Sequence, residues 1–157
     1  MRAARLAVLL ALLATVAGAH PAPNSLLKLD FRATGVRAEY WIPVSELAYA
    51  RAADRRGGGF ADYLLRHVAA ESAGGMAWRV SVGGVREATY GEHAYLVADL
   101  DLLPPAGKSP RAFVLLDDAV THEVRNHVVY VVARRDAGSD LLGLIQYPTR
   151  RLEVAAP

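Results

Sequence analysis

The feature that most constrains this chain is an alternation of apolar and polar residues at period two, cut at short intervals by glycine, proline and polar clusters. Successive side chains of a strand point to opposite faces, so the pattern describes half-buried strands. Leu27, Leu29 and Phe31 alternate with Lys28, Asp30 and Arg32, and Val36, Ala38, Tyr40 and Ile42 alternate with Arg37, Glu39 and Trp41. Thr34-Gly35 between them predicts a hairpin turn. Trp78, Val80 and Val82 run into Gly83-Gly84, which reads as a second turn, and a further strand follows from Val85 to Tyr90. From His93 to Leu103, the residues Ala94, Leu96, Ala98, Leu100 and Leu102 make a core face, while Tyr95, Val97, Asp99 and Asp101 lie opposite. Pro104 to Pro110 reads as a surface loop, and Phe113 to Leu116 as the next strand. The β-branched run Val128 to Val132 is expected to be buried on both faces, and Leu141 to Tyr147 and Leu152 to Val154 close the domain.

One segment departs from this period. Between Val44 and Glu71, Phe60, Leu64 and Val68 recur at helical spacing with Tyr63 and His67 beside them, and Arg55-Arg56-Gly57-Gly58-Gly59 interrupts the run. The pattern predicts two short helices joined by a glycine loop. The expected fold is a mostly-β, Ig-like sandwich of about eight strands with a two-helix insert at residues 44–71. Trp41 and Trp78 read as packing residues near sheet edges.

At the N-terminus, Arg2 and Arg5 precede an apolar run from Leu6 to Val16, followed by Ala17-Gly18-Ala19-His20. This is the order of a secretory signal peptide, with residues 1–19 removed between Ala19 and His20. The apolar run is shorter than the roughly 20 residues a membrane span needs. Residues 20–157 then form a single periplasmic or secreted domain. The 18 Lys and Arg against 16 Asp and Glu of the whole chain become 16 against 16 once Arg2 and Arg5 leave. A balanced domain of this kind gives no reason to expect a nucleic-acid partner. The absence of cysteine excludes disulfides, a disulfide-linked partner, a thiolate metal site and a catalytic thiol. No nucleophile elbow, phosphate-cradling loop or dinucleotide fingerprint is found, so hydrolase and nucleotide chemistry have no support.

Two places hold nitrogen ligands. Cleavage after Ala19 would give His20 a free α-amine beside its imidazole, a pair suited to copper or nickel. The segment from Asp117 to His127 carries Asp118, His122, Glu123 and His127 between two strands. Five residues apart, His122 and His127 point to opposite faces of a strand and lie roughly 140° apart on a helix, so only a loop or bulge would unite them. In a helical turn Asp118 would share a face with His122, and Glu123 with His127, as carboxylates that orient ligating imidazoles. The plainer alternative is an aspartate cap followed by exposed histidines. The spacing is not that of a zinc protease, because the second histidine falls one residue late for HExxH. Asp99 and Asp101, about 6.6 Å apart along their strand, read as solvated charges, and His93 is too far from them to share an ion. His67, beside Leu64 and Val68, reads as a helix-flank histidine rather than a ligand.

His20-Pro21-Ala22-Pro23-Asn24-Ser25, Tyr63-Leu64-Leu65-Arg66-His67-Val68 with Gly75 and Trp78-Arg79-Val80, and Thr121-His122-Glu123-Val124 with His127 resemble the extracytoplasmic N-terminal domain of HupE/UreJ-type membrane proteins. These are hydrogenase and urease accessory proteins regarded as nickel or cobalt permeases. The resemblance covers nearly all of residues 20–157, but the transport histidines of such proteins lie in membrane helices with no counterpart here, so transport is not carried over. It implies a periplasmic domain with an N-terminal histidine and a histidine-containing loop, in a family associated with transition metals. With the nitrogen donors above, the expectation is an accessory domain that binds or presents Ni(II) or Cu(II) through His20, His122 and His127, with Asp118 and Glu123 behind them, for a membrane permease or envelope partner. The rivals are a metal-free interaction module, marked by an exposed apolar patch, and a copper oxidase built on the terminal histidine.

Overall fold

Residues 23–54 and 57–157, those described by this computed structural model, form nine strands and two helices. In chain order these are β1 (Ser25–Phe31), β2 (Val36–Pro43), α1 (Val44–Ala53), α2 (Phe60–His67), β3 (Val68–Glu71), β4 (Arg79–Tyr90), β5 (His93–Leu103), β6 (Ala112–Asp117), β7 (Val128–Arg135), β8 (Gly138–Gln146) and β9 (Arg151–Ala155). Six strands make one sheet in the order β4-β5-β2-β1-β7-β8, and three make the other in the order β3-β6-β9. The mostly-β sandwich expected from the period-two pattern is therefore present. Every pairing is antiparallel except β1 with β7, which run parallel with Leu27 opposite Val131. No described helix is long and apolar enough to cross a membrane.

The inward faces supply the core. Leu27 and Leu29 of β1, Tyr40 and Ile42 of β2, Leu100 and Leu102 of β5, and Val129 and Val131 of β7 meet Phe113 and Leu115 of β6 and Val154 of β9. Tyr63 and Leu64 bring α2 onto the same cluster. With no disulfide available, this burial carries the fold, each fully buried leucine contributing about 1.5–3 kcal/mol.

Five expectations need correction. In β5 only Ala98, Leu100 and Leu102 of the expected core face are buried; Ala94 is exposed and Leu96 half-buried, while Tyr95 and Val97 of the opposite face are buried, Tyr95 against Trp41. The helical period of the insert stops at His67, and Val68 to Glu71 is a strand paired with β6. Val68 satisfies both a helical spacing from Leu64 and an alternation with Ala70, and the ladder to β6 decides between them. Gly83-Gly84 makes no turn; β4 runs through it with a bulge between Val82 and Val85. A side chain at Gly84 would begin 3.1 Å from the carboxylate oxygen of the exposed Asp99, a tight approach. The run from Val128 to Val132 is buried on one face only, because among the described residues no element covers the outer side of the six-stranded sheet and Tyr130 is 40% exposed there. Trp41 sits on an interior strand rather than at an edge.

Leu29 is fully buried between the sheets. Its replacement by alanine is expected to lower the unfolding free energy by about 2–5 kcal/mol with an unchanged denaturant slope, as read by urea titration.

Candidate metal centre

Strand register assembles the most developed polar cluster. Val68, the first residue of β3, pairs with Asp117, the last of β6, so the end of α2 and the start of the 118–127 loop are held side by side. The Asp118 N–H accordingly donates to the His67 carbonyl at 3.1 Å. The chain then makes a helical turn, with His122 N–H donating to the Asp118 carbonyl at 3.2 Å and Val124 N–H to that of Val120 at 3.0 Å. That turn carries His122 back over Asp118.

The two imidazoles stack, with ring centroids 4.4 Å apart and planes 18° from parallel. His67 Nδ1 lies 2.7 Å from Asp118 Oδ1, and His122 Nδ1 lies 2.6 Å from the Asp118 carbonyl oxygen. A carboxylate and a carbonyl only accept hydrogen bonds, so each ring donates from Nδ1 and, when neutral, has its lone pair on Nε2. The His67 Nε2 is buried without a hydrogen-bond partner among the described residues. Tyr63 packs on the His67 ring at 4.5 Å, and its hydroxyl donates to the Ala119 carbonyl. Arg150 donates to the other Asp118 oxygen at 2.6 Å. Burial raises the Asp118 pKa, but the hydrogen bond and charge of His67, with Arg150 and His122, outweigh it and hold the carboxyl below its ordinary value.

His67, Asp118 and His122 each offer a ligand atom within 4.8 Å of the others. The segment takes a helical turn, but His122 meets the main-chain carbonyl of Asp118, whose carboxylate holds His67 and Arg150 instead. His127 is not in the group: it is buried, its Nε2 2.8 Å from the Ser25 hydroxyl. Burial lowers its pKa to about 4, so it is neutral at ordinary pH. Glu123 is exposed, and His20 lies outside the described residues. Asp99 and Asp101 pair with Arg86 and Arg37, as solvated surface charges do. His67, read from the sequence as a helix-flank histidine, does end α2, and its ring lies within this cluster. Only the long-range pairing of β3 with β6 brings it there, and no local pattern announces that pairing.

Beneath the cluster lies a fully buried carboxylate. Asp117 accepts from the Tyr40 hydroxyl at 2.6 Å and from the Ala119 N–H at 2.9 Å. Burial lifts its pKa to about 6, against the lowering effect of those two hydrogen bonds. No protein-family model matches the chain, and no curated protein matches it.

Two opposite pH dependences follow. Asp117 titrates near 6 when folded and about 3.9 when unfolded, so the stability its protonation provides is present below pH 4 and lost as pH rises through 6. His127 titrates near 4 when folded and about 6.5 when unfolded, so its contribution is present above pH 6.5 and lost as pH falls toward 4. Relative to the wild type, stability of Asp117→Asn should therefore climb between pH 4 and 6, and that of His127→Gln should decline. Urea melts across that range test the pair; curves parallel to the wild type would show that neither group titrates abnormally.

Proposed function

We propose that this chain is an extracytoplasmic accessory domain, related to HupE/UreJ-type proteins, that binds a divalent transition metal and presents it to a membrane or envelope partner. The observation that carries this reading is the buried, unpartnered Nε2 of His67 beside the stacked ring of His122. A buried polar atom without a partner is uncommon in a folded protein and asks for a ligand. Two imidazole nitrogens without thiolate suit nickel, copper or zinc; intrinsic affinity favours copper, and the family resemblance favours nickel.

Asp118 is a positioning group in this arrangement. One carboxylate oxygen holds His67 Nδ1, the other is taken by Arg150, and the main-chain carbonyl holds His122 Nδ1. Such partners fix the tautomer and aim of ligating histidines. Two protein nitrogens leave most of an ion's coordination positions open, which suits transfer to a partner better than permanent storage. The rival reading, a metal-free interaction module, is favoured by the exposed Tyr90, Tyr130 and Leu144.

Calorimetric titration of residues 20–157 with Ni(II), Cu(II) and Zn(II) tests the proposal. One ion per chain is expected, with His67→Gln and His122→Gln each abolishing uptake and Asp118→Asn weakening it about 10–100-fold. His127→Gln should bind as the wild type does. Uptake that survives the His67→Gln/His122→Gln double variant, or that vanishes when one alanine is added ahead of His20, would overturn the assignment.

A further inference from the structure

The outer face of the six-stranded sheet is divided into two halves. One is a lattice of ion pairs, in which Glu39 takes Arg86 and Arg134, Asp99 takes Arg86, Asp101 takes Arg37 and Asp30 takes Arg32. The other is apolar and aromatic: register sets Leu144, Tyr130, Leu26, Trp41 and Val97 in one row across β8, β7, β1, β2 and β5. A groove of about 480 Å³ opens on this half, lined by Asn24, Lys28, Trp41, Tyr90, Tyr95 and Tyr130 among others. That volume lies within the ordinary range of small-ligand sites.

Three features say what the groove would take. Tyr90 is 74% exposed and Tyr130 40%, and Trp41 meets Tyr95 edge-on at 5.9 Å, so aromatic surface is on offer to a ring. The groove is rich in donors. The Trp41 indole N–H is buried with no acceptor among the described residues, and Asn24, whose Oδ1 accepts from the Val128 N–H at 3.1 Å, keeps its amide hydrogens to donate. Lys28 supplies the charge. It lies opposite Glu39 in the β1–β2 register, yet Arg86 and Arg134 occupy that carboxylate, and the Lys28 ammonium instead sits 4.5 Å from the centre of the Trp41 ring. Among the described residues no carboxylate pairs with Lys28, and none lines the groove.

Aromatic faces, oxygen-seeking donors and one uncompensated cation describe a site for a ring that carries hydroxyls and a carboxylate. We infer that this groove binds a carboxylated sugar unit of a glycan, its ring face on Tyr130, Tyr90 and Trp41 and its carboxylate on Lys28. An extended peptide is the weaker occupant. Of the strands that line the groove, β1, β2, β5 and β7 are hydrogen-bonded on both sides, and the edge strand β4 contributes only its last residue, Tyr90, which leaves a peptide backbone little to pair with. This inference is independent of the metal reading and of the residues that carry it.

Fluorescence reports directly on the groove, because Trp41 lines it whereas the only other tryptophan, Trp78, is buried against Phe113. The protein is titrated with trigalacturonic acid and N-acetylmuramic acid as acidic probes, and with cellotriose and N-acetylglucosamine as neutral ones. Saturable change is expected with at least one acidic probe, about tenfold tighter than with its neutral counterpart. Lys28→Met should remove that preference, and Tyr130→Ala should weaken both kinds of probe, with melting temperatures unchanged. No saturable change with either acidic probe, equal affinity for acidic and neutral sugars, or tighter binding of an Asp- and Pro-rich peptide than of any sugar would each overturn the inference.

Discussion

One hydrogen bond ties the two layers of this sandwich together where its chemistry lies. The Tyr40 hydroxyl, on the inner face of the large sheet, donates to Asp117 at the end of the small one, and both groups are fully buried. Apolar packing alone lets two sheets slide, because it has little directional preference. A charge-assisted bond of 2.6 Å between fixed strands does not slide, and it sets where β6 ends. The neighbouring residue Asp118 inherits that position, and β3, paired with β6 from the same point, delivers His67 to it. A second buried link runs from Ser25 to His127 and secures the far end of the loop that carries His122. The candidate metal centre is thus a by-product of how the layers are locked.

The same architecture separates two kinds of surface. Between the layers and at their joint polar groups are few, and His67 Nε2, Thr121 Oγ1 and His127 Nδ1 are buried there without a partner among the described residues. On the uncovered side of the large sheet, arginines and carboxylates neutralise one another in cross-strand pairs. Lys28 escapes that pattern only because its natural partner, Glu39, is taken twice. Competition among neighbours, rather than the identity of any one residue, makes the aromatic half of this face electrostatically different from the other.

Much of the fold was legible because a strand's two faces write themselves into its residues at period two. Leu27, Leu29, Tyr40, Leu100 and Leu102 were assignable to the core by alternation alone, and all are buried. The failures have local causes. Gly83-Gly84 carries turn chemistry, yet β4 passes through it with a bulge. Val68 obeys both periods at once, and Val128 to Val132 conceals whether a third layer exists. At the candidate site, Asp118 and His122 were visible because they share one turn. His67 lies 51 residues from Asp118, and its place depends on a strand pairing that nothing near it encodes. His127, chemically equal to His122, spends its ring on Ser25 in the interior instead.

The position of β1 has a further consequence. The strand nearest the start of the described chain is not at a sheet edge but in the middle, paired with β2 on one side and, in parallel, with β7 roughly a hundred residues later on the other. Early hairpins such as β1–β2 and β4–β5 are local and quick to close, whereas the central seam waits for nearly the whole polypeptide and bears a large loop-closure entropy. Assembly of this domain is therefore gated from its C-terminal half. A chain interrupted before β7 would hold a half-made sheet with Leu27 and Leu29 uncovered, the state most in need of a chaperone.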